Sequence, residues 1–203
     1  MTIRALPLVF HPIYSQLSLP RNHRFPIGKY QRLHDEALTS HQDKVQIMPV
    51  EAPIDLVSLS RVHNLDYIDA FLTGQLDEKV MKRIGFPWSQ QFVNRTLTAV
   101  AGTVKAARLS LESGIAINLT GGYHHAHPNF GSGFCVFNDM AIAAETLLAE
   151  SLVHRVLIFD CDVHQGDGTA VCASPSPDVF TLSIHCEKNF PARKQHSDHD
   201  VEI

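Results

Sequence analysis

The stretch from Arg155 to Gly168, RVLIFDCDVHQGDG, constrains the fold more than any other part of the chain. Val156, Leu157, Ile158 and Phe159 form an apolar run of strand-forming residues with no glycine or proline, which predicts a strand buried on both faces of a parallel sheet. Polar chemistry follows at once. If the extended backbone continues, side chains two apart share a face, so Asp160, Asp162 and His164 line up on one side and Cys161 and Val163 on the other. Two carboxylates and an imidazole at the carboxyl end of a buried strand make a donor set for a divalent metal. Each carboxylate, if buried without compensation, would cost several kcal/mol. The alternative is a solvated loop in which the spacing is accidental.

The surrounding pattern is strand, helix, strand. IAINLT (Ile115 to Thr120) predicts a strand that leads into the glycine-rich loop GGYHHAHPNFGSGF. Asn138 or Asp139 then caps a helix from Met140 to Glu150, and a short helix around Thr169 to Ala173 precedes a further strand, Val179 to His185. Such βαβ units imply a parallel sheet covered by helices, with ligands bound beyond the carboxyl ends of the strands. Earlier in the chain, Pro7 to Phe10 predicts a first strand, followed by HPIYSQLSLPRNHRFP, a long polar loop of the kind that carries function. Pro26 suits the first turn of a helix from Gly28 to Leu38, and Val45 to Val50 alternates like a second strand. Asp55 caps Leu56 to Leu59, and Asn64 caps Leu65 to Leu72 before Gly74. Phe92, Leu97, Val100, Val104, Ala107 and Leu111 recur at helical spacing between Ser89 and Glu112, and Ser113-Gly114 ends that run. At 203 residues and 44% hydrophobic, the chain has the length and core material for one domain, residues 1–203.

Adjacent His124 and His125 cannot both point one way from a regular strand, but Gly121-Gly122 frees the backbone to aim both imidazoles into one pocket. A carboxylate accepting from one ring nitrogen fixes the tautomer and raises the basicity of the other. Asp160 and Asp167 are available for that service. A net charge of −4 with 17 thinly spread basic residues gives no field for a phosphate backbone, so direct nucleic-acid binding is not expected. The opening MTIRALPLVFHP carries Arg4 but no long apolar core of a signal peptide. No run approaches the roughly eighteen apolar residues of a membrane span, so a cytoplasmic protein without membrane contact is expected. Cys135, Cys161, Cys172 and Cys186 lack CxxC pairing, which favours reduced thiols.

The pieces GGYHHAHPNFGSGFCVFNDMAIAA and DCDVHQGDGTA resemble the zinc-dependent histone deacetylase family. HPIYSQ near the start, GFP at 85 to 87, the long helix before the histidine loop and SIH at 183 to 185 fall in the family's order, so the resemblance covers nearly the whole chain. Gln165 and the GFP segment are similar to the class IV and bacterial branches. The resemblance implies a three-layer α/β/α fold of the arginase/deacetylase type with a mostly parallel sheet. It implies that Asp162 and His164 coordinate Zn2+, that His125 is general base and then general acid, and that His124 is a neighbouring electrostatic and proton-positioning group. Asp160 and Asp167 match the carboxylates that hold His124 and His125, and Gly133 and Phe134 match the wall of a narrow tunnel for an acylated lysine chain. In some members K+ is held by groups matching Asp160, Asp162, His164, Ser183 and Ile184.

Three protein ligands are expected for such a zinc, and two are present. The family's third ligand and its oxyanion-stabilising tyrosine would lie beyond Ile203, so the chain is expected to be the amino-terminal part of a longer deacetylase. Asp198, His199 and Asp200 sit in a polar run, KQHSDHD, that reads as a loop and is not expected to complete the site. The expected function is zinc-dependent removal of acetyl or other acyl groups from lysine side chains. The rivals are a catalytically inactive binding module and an acetylpolyamine deacetylase acting on a small acylated amine. The last strand, Val179 to His185, would be left as an open sheet edge that invites oligomers.

Overall fold

In the computed structural model every pairing between strands among the described residues is parallel, as the βαβ pattern requires. The structure describes residues 5–203, so Arg4 lies outside the described residues. Contacts divide the chain into two units, one running to Ile54 and including Pro87–Gly121, the other formed by Asp55–Phe86 and Gly122–Ile203.

In the first unit β1 (Leu6–Phe10) lies between β2 (Val45–Pro49) and β3 (Ile117–Asn118). Leu8, Val9 and Phe10 are buried. α1 (Lys29–His41) runs three residues past its expected end, and Pro26 sits in the turn before it, accepting from the Lys29 N–H at 3.0 Å. β3 is shorter than the IAINLT run suggests. Asn118 uses its side chain instead, accepting from the Tyr14 hydroxyl at 3.1 Å and donating to Ala99 O and Thr103 Oγ1. α5 (Gln90–Ser113) is the long helix, capped by the Ser89 hydroxyl on the Phe92 N–H and closed by Gly114 at φ +81°. The polar loop after β1 contains a 3-10 turn at Pro12–Ser15, and the buried Arg95 of α5 donates through Nε to Tyr14 O at 2.9 Å. That part of the loop is structural.

In the second unit β5 (Val179–His185) is central, with β4 (Val156–Asp160) on one side and β6 (His199–Glu202) on the other. The expectation that Val179–His185 would be an open edge is therefore wrong. KQHSDHD reads as a loop because it is polar, yet its polar side chains dock the strand: Asp198 accepts from both the N–H and the hydroxyl of Thr181 at 2.8 Å, and Asp200 accepts from the Gln165 amide at 3.0 Å. The sheet edges fall at β4 and β6 instead.

α2 (Leu56–Ser60), capped by Asp55, and α3 (Leu65–Thr73), closed by Gly74, form as expected. α4 (Glu78–Ile84), which has no counterpart in the sequence reading, ends at Gly85 with φ +88°. α6 (Asp139–Ala149) and α7 (Asp167–Ala173) cover one sheet face, where Ala144, Ile158, Ala173 and Val179 pack with Met140, Leu148 and Val156. The other face is open. Leu157 is 59% exposed, Phe159 55% and Phe180 49%, so the expected burial of β4 on both faces does not hold. An apolar run tells how a strand is made, but not how many of its faces a neighbour covers.

An open apolar face of this kind binds hydrophobic dyes. Replacing Leu157, Phe159 and Phe180 together by serine is expected to lower dye fluorescence of the 203-residue chain severalfold, with helix content by circular dichroism unchanged.

Candidate active site

Gly121 and Gly122 adopt φ +108° and +73°, a double left-handed turn that side chains resist. The turn is held by Asp139, whose carboxylate accepts from the Gly122 N–H at 3.1 Å and the Tyr123 N–H at 2.7 Å. The chain can then place two consecutive histidines with rings 4.0 Å apart, each on its own carboxylate. His124 Nδ1 meets Asp160 Oδ2 at 2.6 Å, and His125 Nδ1 meets Asp167 Oδ1 at 2.6 Å. Both pairs expected from the sequence are formed. A carboxylate at Nδ1 leaves Nε2 as the working nitrogen of each ring.

Asp162 and His164 are brought together by a different device from the one expected. β4 ends at Asp160. Beyond it the Asp162 N–H donates to Asp160 Oδ1 at 2.9 Å and the His164 N–H donates to Asp162 Oδ1 at 2.8 Å, so two successive Asx turns replace strand alternation. Asp162 Oδ1 also lies 3.0 Å from His164 Nδ1, with the two side chains 51% and 39% exposed. An adjacent, solvent-reachable carboxylate and imidazole fit two ligands of a zinc site. Among the described residues no group of three His, Cys, Asp or Glu side chains is placed to hold a metal ion. Asp198 and Asp200 are committed to Thr181 and Gln165, and His199 sits exposed in β6. Ser183 is the strand partner of Asp160 and is buried, with its hydroxyl 3.0 Å from His185 Nδ1, and Ile184 follows it half-buried.

Gly133 lies against the His125 ring, and Phe134 follows it. At φ +55°, Gly133 approaches so closely that a Cβ would lie 2.6 Å from His125 Cδ2. Phe134 is itself left-handed at φ +68°, a strained state for a side-chain-bearing residue. It is held by its N–H on Ile84 O at 2.8 Å and by the Phe86 ring at 5.2 Å. The glycine and phenylalanine of GFP thus buttress this wall.

Four residues went unseen in the sequence. Phe190 sets its ring edge-on to His125 at 4.8 Å and 87°. Asp139 holds the glycine turn. His127 donates through Nε2 to the second oxygen of Asp167 at 2.9 Å. His63 donates from Nδ1 to His127 O at 3.0 Å and accepts at Nε2 from the Asn138 N–H at 2.9 Å. His127 alone had a sequence signal, as the third histidine of HHAH. A cavity of about 470 Å³ opens beside this group, lined by Arg83, His127, Phe130, Asp167, Phe190 and Arg193 among others.

The electrostatics separate the two adjacent histidines. Burial opposes charge on His124, but the Asp160 hydrogen bond and the charges of Asp160, Asp162 and Asp167 outweigh it and raise its pKa. Burial likewise opposes charge on His125, and with the neighbouring His124 it prevails over Asp167, lowering the pKa. The charged form is thus favoured on the first ring and disfavoured on the second. Burial pushes Asp167 upward, but hydrogen bonds from His125 and His127 hold it down at about 2. Burial lowers His63 to about 4, keeping it neutral.

The sequence profile of the histone deacetylase domain matches residues 23–202. The chain belongs to the histone deacetylase family, and its parallel α/β architecture is that of the family's arginase/deacetylase fold. It is 49% identical over 199 residues to an uncharacterised protein of Picosynechococcus, covering 96% of this chain and 65% of that protein. It is 38% identical over 138 residues to the acetoin utilization protein AcuC of Staphylococcus aureus, covering 63% of this chain and 35% of AcuC. With histone deacetylase 2 of Arabidopsis thaliana it shares 25% identity over 193 residues, 87% of this chain and 47% of that protein. The chain therefore spans less than two thirds of the length of these relatives.

A folded-state pKa depressed from 3.8 to about 2 means that Asp167 contributes stability that is complete above the unfolded value and lost as pH falls through the folded one. Asp167→Asn is expected to flatten the fall in stability between about pH 4 and pH 2, read from urea midpoints across that window.

Proposed function

We propose that this site, in a protein of its relatives' length, belongs to a zinc-dependent hydrolase that removes acetyl or other acyl groups from lysine side chains or small amines. The observation that carries it is the pair of His–Asp contacts at 2.6 Å, with histidine pKa values pushed in opposite directions, beside the Asp162–His164 pair. Zinc held by Asp162 and His164 would polarise the amide carbonyl and acidify water. His125, neutral and oriented by Asp167, takes a proton from the attacking water and delivers it to the departing amine. His124, whose charged form Asp160 favours, would favour negative charge developing on the carbonyl oxygen and disfavours a second charge on His125. Phe134 and Phe190 supply apolar surface for the methylenes of the acylated chain, and Gly133 lets that chain pass close to the base. A potassium ion on oxygens of Asp160, Asp162, His164, Ser183 and Ile184 would brace the strand ends behind the zinc ligands.

Four unpaired cysteines support a reducing, cytoplasmic setting, and no helix among the described residues is long and apolar enough to cross a membrane. A second reading, a partner-binding module without turnover, draws on there being no group of three His, Cys, Asp or Glu side chains that could hold a metal ion among the described residues.

In a version extended to the relatives' length, Asp162→Ala and His164→Ala are expected to abolish tight zinc binding, whereas Asp55→Ala, which removes only a helix cap, retains it. Metal analysis after dialysis reads this directly, and unchanged zinc in His164→Ala would falsify the ligand assignment. His125→Ala should keep its zinc and lose about a hundredfold to ten-thousandfold in kcat on an acetyl-lysine peptide. A wild-type rate in that variant sinks the acid-base role. The 203 residues alone, with two ligands in place, are expected to bind zinc weakly and to show no useful turnover.

A further inference from the structure

A base whose orientation matters needs a fixed carboxylate behind it, and a carboxylate hydrogen-bonded at one oxygen alone can still swing about its Cβ–Cγ bond. Asp167 is engaged at both: Oδ1 takes the His125 Nδ1–H at 2.6 Å, and Oδ2 takes the His127 Nε2–H at 2.9 Å. We propose that His127 is a positioning residue that locks Asp167 in the rotamer that aims His125. The inference rests on the reading of His125 as the base.

His127 is equipped to act as a fixed donor. Its backbone N–H donates to Phe130 O at 2.9 Å, its carbonyl accepts from His63, and its ring stacks on Phe130 at 4.3 Å and 18°. The Arg83 guanidinium lies over that same Phe130 ring at 4.1 Å. A chain of contacts thus runs Arg83, Phe130, His127, Asp167, His125. Each member restrains the next, as outer hydrogen-bond partners restrain the groups that do chemistry. His63 faces His127 only through a main-chain bond and is neutral, so Asp167 is the carboxylate that the His127 ring meets. Had His127 served only to fill space, nothing would require its Nε2 to carry a proton or a replacement side chain to carry an amide there.

That difference is measurable without any hydrolysis. In the 203-residue chain with 15N-labelled histidines, the His125 Nδ1 proton should resonate well downfield of the amides, and His127 should be protonated at Nε2. In His127→Ala the His125 proton should move upfield or be lost to exchange, while the His124 proton on Asp160 stays. His127→Gln, whose Nε2 amide can reach the same oxygen, should restore it. A wild-type His127 bare at Nε2 overturns the proposal, as does an unmoved His125 proton in folded His127→Ala or a folded His127→Gln that behaves like alanine. Should the alanine variant fail to fold, the wild-type tautomer and the glutamine variant decide. Failure of the hydrolase reading would leave these resonances in place, so the two failures are separable.

Discussion

A buried carboxylate must be paired, and the second unit is arranged around satisfying that requirement at Asp167. Two imidazoles reach it, one on each oxygen, and both come from the loop that the left-handed pair Gly121 and Gly122 makes possible. Asp167 opens α7, and the same first turn of that helix sends the Thr169 N–H to His124 O at 3.0 Å. The histidine loop and the helix are therefore stitched together on both the side-chain and main-chain levels. Strand, loop and helix hold one another because charged and polar groups left over from any one of them are completed by the other two.

The same economy explains which parts could be read from residues alone. Helix caps at Asp55 and Asn138 are local, so the sequence offers them and the structure forms them. The His–Asp pairs were legible because tandem histidines in a glycine loop call for two acceptors, and Asp160 ends the next strand while Asp167 lies seven residues beyond it. β6 was not legible. Its polar residues bond to Thr181 and Gln165, partners distant in sequence, and a strand held in this way has no hydrophobic alternation to display. His127 was passed over for a related reason, since only the folded chain shows which oxygen its ring meets.

The carboxyl end of β4 shows how one sequence spacing can be met by two different backbone geometries. Alternation along an extended strand would put Asp160, Asp162 and His164 on one face. The chain instead turns twice, each aspartate catching the N–H two residues ahead. Side chains separated by two positions still gather, because Asx turns share that spacing with the strand. Asp160 is thereby withdrawn toward His124, leaving Asp162 and His164 as the outward pair.

Gly133 leaves no room for a side chain beside His125. The wall at that point is main chain, and its chemistry is the same whatever sequence surrounds it. Variation in side-chain shape around His125 has to come from neighbours such as Phe134, the next residue in the chain, and Phe190, whose ring meets His125. Phe134 is in turn tied to position 85, where an added Cβ would come within 3.0 Å of its ring. Positions 85 and 134 therefore share one allotment of volume: a lineage that enlarges the first must shrink or turn the second, and the two should change together in descent.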